Sequence, residues 1–178
     1  MTIFLRQALW AFLILLGATG AAHAQRGRVP LVDFVDIPVS LGSAKALSTE
    51  QVRQAVLLAA VAERWDVTPL PDGRLKLNLV KGDQYTVEVI VAYSAESYSA
   101  RYVSSTNLNF LEGPPPPEFN VARARADARA AIEVQTARFA VFPEAKYAIR
   151  REATLIHPAY ELSMHELLGG VRRHLSLL

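Results

Sequence analysis

The sequence predicts an α+β fold: a mostly antiparallel sheet of four to five strands packed against two helices, with a Pro-rich and Ala/Arg-rich arm. Three observations carry this. A capped helical run starts at Leu47-Ser48-Thr49-Glu50-Gln51-Val52. Three alternating runs follow between Arg74 and Val103, joined by short turn signals. A second helical pattern runs from Pro158 to Leu175.

Taken in order, residues 1–24 read as a secretory signal peptide. Arg6 gives a short positive start, Ala8 to Leu16 is apolar, and Ala22-His23-Ala24 is a small-residue cleavage pattern before Gln25. The apolar run is shorter than the roughly 20 residues that cross a bilayer. Residues 31–178 then form one α+β domain. Leu31 to Leu41 alternates imperfectly, because Phe34 and Val35 are both apolar. Pro38 cannot donate to a ladder, so this strand is expected on a sheet edge.

Ser48 can cap the next helix, with Gln51 reaching back to complete a capping box and Leu47 and Val52 forming a staple. Val52, Ala55, Val56, Ala59 and Ala60 recur at helical spacing, widened by Leu57, Leu58 and Val61. The helix is expected to end near Arg64. Trp65 to Thr68 is extended, and Asp72-Gly73 turns the chain. Leu75, Leu77 and Leu79 share one face, as do Tyr85, Val87, Val89, Val91 and Tyr93, then Tyr98, Ala100 and Tyr102. These read as an antiparallel meander, with one face on the helix and the other partly wet.

Pro114 to Pro117 break the pattern and favour a polyproline strut. Residues 121–140 permit helix but lack a strong apolar stripe, and Pro143 ends them. The whole stretch 111–155 is therefore expected to be an arm peripheral to the core. In the last helix Pro158 suits the first turn. Gly169-Gly170 weakens its middle, at about 1 kcal/mol per glycine against alanine.

Composition narrows the function. Lys+Arg number 19 and Asp+Glu 17, for a formal charge of +2, which is no electrostatic case for nucleic acid. At 51% hydrophobic and 20% charged the chain is too apolar to be disordered. Cysteine is absent, which excludes disulfides, thiolate nucleophiles, Cys-ligated zinc and a lipid anchor on cysteine.

Two stretches carry a resemblance: Tyr98-Ser99-Ala100-Arg101-Tyr102-Val103-Ser104-Ser105-Thr106-Asn107-Leu108-Asn109-Phe110 and Ile156-His157-Pro158-Ala159-Tyr160-Glu161. With Trp65-Asp66-Val67 and Gly73, the chain resembles a group of small uncharacterised bacterial exported proteins, often lipoproteins. That group has a Y-x-D-S-x-N-L-x-Y strand end and an I-H-x-x-Y-N helix start. Ser104 stands where the group has Asp, Phe110 where it has the last Tyr, and Glu161 where it has Asn. The resemblance covers most of 47–110 and 156–176 and implies no transferable chemistry.

Few side chains stand out as candidate sites. His157, before the last helix, is expected to hydrogen-bond backbone, Ser105 or Asn107, and so tie that helix to the meander. A Ser105–His157 catalytic pair is the competing reading, but nothing around Ser105 resembles a nucleophile elbow. His157, Glu161 and His165 are spaced four apart, which suits one helix face or a divalent cation. No H-E-x-x-H accompanies His165 or His174. Arg123, Arg125, Arg129, Arg138, Arg150 and Arg151 are the densest basic part, read as a solvated face or a weak contact with an anionic membrane surface. Tyr85, Tyr93, Tyr98, Tyr102 and Trp65 are expected as sheet core, with the lining of a ligand cleft or a protein-contact surface as the alternatives.

No catalytic, cofactor-binding or metal-ligating residue is assigned, and no cofactor. The expected function is a non-catalytic exported envelope protein that mediates protein–protein or assembly contacts, periplasmic or secreted. The alternatives are a small-molecule or lipid-surface binding module, then a hydrolase. An envelope protein partner is expected; nucleic acid is not, and no small-molecule ligand is identifiable.

Overall fold

The computed structural model describes residues 28–39, 46–113, 117, 119–124, 126, 130 and 147–178. Residues 1–24, expected to be a signal peptide, lie outside them. The described chain is α+β, with a seven-stranded antiparallel sheet, larger than the four to five strands expected. Its strands are β1 (Val29–Pro38), β2 (Trp65–Pro69), β3 (Leu75–Lys81), β4 (Tyr85–Tyr93), β5 (Ser97–Thr106), β6 (Leu111–Glu112) and β7 (Ala148–Ile156). The spatial order is β2-β3-β4-β5-β1-β7-β6. Helices α1 (Thr49–Ala62) and α2 (Ala159–Leu175) pack together over one face.

The meander forms as its alternation dictates. Leu75, Leu77 and Leu79, then Val87, Val89 and Val91, all turn to the helix side and are at most 2% exposed. The opposite face is mixed, with Lys76 Nζ 3.4 Å from Glu88 Oε2. A bulge between Glu88 and Val89 lets Val103 slip out of pairing. Tyr102 and Ser105 then share the helix face, where their hydroxyls meet at 2.8 Å.

Two expectations about the sheet need correction. β1 is not an edge strand: it lies between β5 and β7. Pro38 is its last residue, so the missing donor falls at the end of the ladder. The uneven pattern at Phe34 and Val35 is a bulge, with Asp36 in left-handed conformation (φ 52°) and its N–H donating to Ser99 Oγ. The bulge turns both Phe34 and Ile37 toward the helices. The strand's other face is also apolar, and Leu31 and Val35 are buried there.

Nor is the arm 111–155 peripheral throughout. Residues 148–155 belong to β7, inside the sheet, and Leu111–Glu112 pair with Leu155 and Thr154. Ala124 and Tyr147 pack against the core. A strand apolar on both faces, as β1 is, needs cover from more than the two helices. Of the helix expected over 121–140, residues 121–124, 126 and 130 are helical, and the rest lie outside the described residues.

The caps follow the sequence. Ser48 Oγ accepts from the Gln51 N–H, and Gln51 Oε1 accepts from the Ser48 N–H. Helix α1 stops at Ala62, and Arg64 takes the left-handed conformation (φ 63°) that turns the chain into β2. The glycines in α2 have a packing reason. A Cβ on Gly170 would stand 3.1 Å from the Ala59 Cβ of α1, so the two helices touch through small residues. Substituting Gly170→Leu should therefore force the helices apart and destabilise the fold by about 1–3 kcal/mol. Equilibrium denaturation measures this, and an unchanged midpoint would contradict the contact.

Candidate functional site

Among the described residues, a cluster of charged and phenolic side chains lies where β1 leaves β5. Their ladder joins Phe34–Pro38 to Ala100–Ser97, while the start of β1 pairs with β7 instead. This parting frees backbone groups inside the protein, and buried backbone groups must find partners. Asp33 Oδ1 accepts the Tyr102 N–H at 2.9 Å. The Val32 carbonyl accepts the Tyr160 hydroxyl at 2.9 Å. A carboxylate and a phenol thus stand in for a missing strand partner.

Asp33 is 4% exposed, and a buried carboxylate needs a counter-charge. Arg151 supplies it, donating to Asp33 Oδ2 from Nε at 2.8 Å and from Nη2 at 2.6 Å. Arg150, the neighbouring residue on β7, turns to the opposite face. There its guanidinium meets Glu161 in the first turn of α2, at 3.1 Å to Oε1 and 3.4 Å to Oε2. Glu161 is also 4% exposed. His165 Nε2 stands 3.9 Å from Glu161 Oε1 and packs edge-on to Phe34.

Burial pushes the Glu161 carboxyl up. The neighbouring His165 and the hydrogen bonds and charge of Arg150 outweigh this and hold it below its ordinary value of 4.5. The stabilisation this carries is complete above that value and is lost as pH falls through the lower folded one. Burial raises both phenols: Tyr160 well above its usual range, and Tyr102 less, opposed by its hydrogen bond to Ser105. The Tyr102 and Tyr160 rings meet edge to face at 5.4 Å, and Phe110 stacks on Tyr102 at 5.3 Å. Protonated phenols and arginine-clamped carboxylates are fixed donors and acceptors, suited to holding strands in place.

The residues singled out in the sequence are only partly brought together. Glu161 and His165 meet, but His157 does not join them: its Nδ1 accepts the Ala159 N–H at 3.2 Å. The His157 N–H donates to the Leu108 carbonyl at 2.8 Å, which ties α2 to the end of the meander through backbone. Ser105 bonds Tyr102 instead, so no Ser105–His157 pair forms. Among the described residues no cluster of three His, Asp or Glu is placed to hold a metal ion.

Arg150 and Arg151 are ion-pair partners of the buried carboxylates Glu161 and Asp33, Arg150 half-buried and Arg151 exposed. Arg123 is exposed, and Arg125, Arg129 and Arg138 lie outside the described residues. Trp65, Tyr98 and Tyr102 are core, with Tyr85 and Tyr93 half-buried against it. No helix among the described residues is long and apolar enough to cross a membrane. Sequence reasoning missed Asp33. Its signal was an acid in the middle of the apolar run Leu31–Val35, with an arginine pair later in the chain.

Pro158 offers no side-chain cap to α2, so the His157 imidazole takes that role. His157→Ala should cost about 0.5–2 kcal/mol, the range for losing a helix cap. Urea denaturation at neutral pH tests it, and His157→Asn, which restores a short acceptor, should recover part of the loss.

No protein-family model, no curated protein and no solved structure matches this chain.

Proposed function

We propose that this chain is a non-catalytic exported envelope protein that makes protein–protein or assembly contacts, in the periplasm or secreted once residues 1–24 are removed. One observation carries the contact reading. On the outer side of α1, Leu58 is 53% and Val61 71% exposed. They stand three residues apart and adjoin exposed Ala62, so all three share one helical face. Val80 on β3, 52% exposed, lines the same shallow groove as Ala62. Val80 alternates with Leu79 onto the other face of the sheet, so the reading rests on Leu58 and Val61, held together on one face of a rigid helix, which supports a contact surface. Covering Leu58 and Val61 would gain up to about 1.5–3 kcal/mol each. The export half of the reading rests on the apolar run and Ala22-His23-Ala24.

A second reading, a small-molecule binding module, has one feature in its favour. The groove between Ala62, Arg64, Leu79, Lys81 and Gln84 has a volume of about 350 Å³. That is at the lower end of the range for small-molecule sites.

The contact reading is tested by placing a photo-reactive residue at Gln54, beside the apolar face, and another at Arg101 on the wet face of the sheet, in the producing cell. Discrete protein adducts are expected from Gln54 and not from Arg101. The double substitution Leu58→Glu, Val61→Glu should abolish them while shifting stability by no more than about 0.5 kcal/mol, as exposed sites do. Equal labelling from both positions, or adducts that survive the double substitution, would reject the surface. Intact mass of the envelope-derived chain, expected to begin at Gln25, tests export separately.

A further inference from the structure

The two arginines of β7 divide that strand unevenly. Its second half is anchored by apolar burial, at Leu155 and Ile156, both 0% exposed. Its first half has less: Ala148 is half-buried against the core, but Ile149 is 53% exposed and Arg151 is exposed as well. Between the halves the pairing with β1 breaks, from Pro30–Leu155 to Leu31–Arg151. Residues 148–151 therefore stay on β1 through four residue pairs, the partial burial of Ala148 and the two arginine clamps.

We propose that the Arg150–Glu161 contact is an acid-released latch: when Glu161 loses its charge, residues 148–151 leave β1 while α1, α2 and the meander β2–β5 stay folded. Among the described residues, few groups face Glu161. From β7 it meets Arg150; from α2, His165 one turn on and the Tyr160 hydroxyl beside it. From β1, Asp33 lies on the other face of the sheet, where Arg151 holds it. On α1, Ala59 and Glu63 approach α2 at Gly170, about 13 Å further along the helix. Neutral Glu161 would leave Arg150 beside an uncharged acid and His165, without the carboxylate that it pairs with among the described residues. Helix α2 would keep its own anchors, Tyr160, Met164, Leu167, Leu168 and Val171, all at most 1% exposed. Local opening of weakly buried segments ahead of global unfolding is general behaviour in proteins.

The consequence is a conditional sheet edge. With residues 148–151 gone, Leu31 to Phe34 of β1 would present unpaired backbone to a strand from elsewhere.

Methyl NMR of the full chain, titrated from about pH 7 to pH 3, reads both halves at once. The Ala148 and Ile149 signals should move to unstructured positions while Leu77 and Val89 keep their dispersion. The midpoint should fall below the ordinary glutamate value of 4.5. Glu161→Gln should place Ala148 and Ile149 in the released state already at neutral pH. Should that variant fail to fold, Arg150→Lys, which keeps the charge but loses the two-point contact, should raise the midpoint. Glu166→Gln, which removes an outer partner of Lys81, should leave it in place. A single transition in which all four residues collapse together would overturn the latch. So would an unmoved midpoint in both Glu161→Gln and Arg150→Lys, or an equal shift in Glu166→Gln.

Discussion

The structure depends on satisfying β1 where it parts from β5. A strand in the middle of a sheet, apolar on both faces, has no water to pair its backbone. Where it diverges from β5, the Tyr102 N–H and the Val32 carbonyl lose their ladder partners, and Asp33 and Tyr160 replace them. Each replacement brings a requirement of its own. Asp33 needs a cation, which positions Arg151 and with it β7. Tyr160 needs its hydroxyl aimed at the sheet, which fixes the first turn of α2. Most of the architecture around the sheet centre follows from that one irregularity.

Buried ion pairs add little net stability, because desolvation offsets their attraction. What they supply here is register. Arg150 and Arg151 alternate across β7 to Glu161 on one face and Asp33 on the other. A slip of one residue in one direction would bring Glu152 to Asp33. A slip in the other would bring Ile149 to Glu161. Either leaves a buried carboxylate without its cation, which costs about 3–5 kcal/mol. β7 has few buried apolar side chains in its first half to set its alignment, so charge does the work that side-chain pattern does in the meander.

This contrast explains what was legible in the sequence. The meander and both helices could be read because their information is local: alternation in Leu75–Leu79 and Tyr85–Tyr93, and the cap at Ser48. β7 could not, since Ala148-Ile149-Arg150-Arg151 has no apolar period and its meaning lies in partners 118 and 11 residues away. Pro38 misled for a related reason. A proline rules out the ladder interior, but not the last residue of a central strand. The candidate site was half visible: the spacing of Glu161 and His165 placed them together, while Asp33 looked like a defect in an apolar run. Gly169-Gly170 looked like a weakness in a helix and is instead where α2 meets Ala59.

The same contacts decide which surface is free to act. With α1 capped at Ser48 and seated on α2 through Ala59 and Gly170, its inward face is fully used by Val52, Ala55, Val56, Ala59 and Ala60. Leu58 and Val61 therefore cannot turn inward by rotation of the helix without unseating that face and breaking the cap. A loop could hide such side chains at little cost; a helix pinned at its start and along its length cannot. Apolar groups held outward on a rigid element are pre-organised for contact, since ordering them on binding costs little further entropy. The constraint that orders the sheet centre and the exposure on α1 are thus linked through α2, which carries Tyr160 and Glu161 at one end and Gly170 at the other.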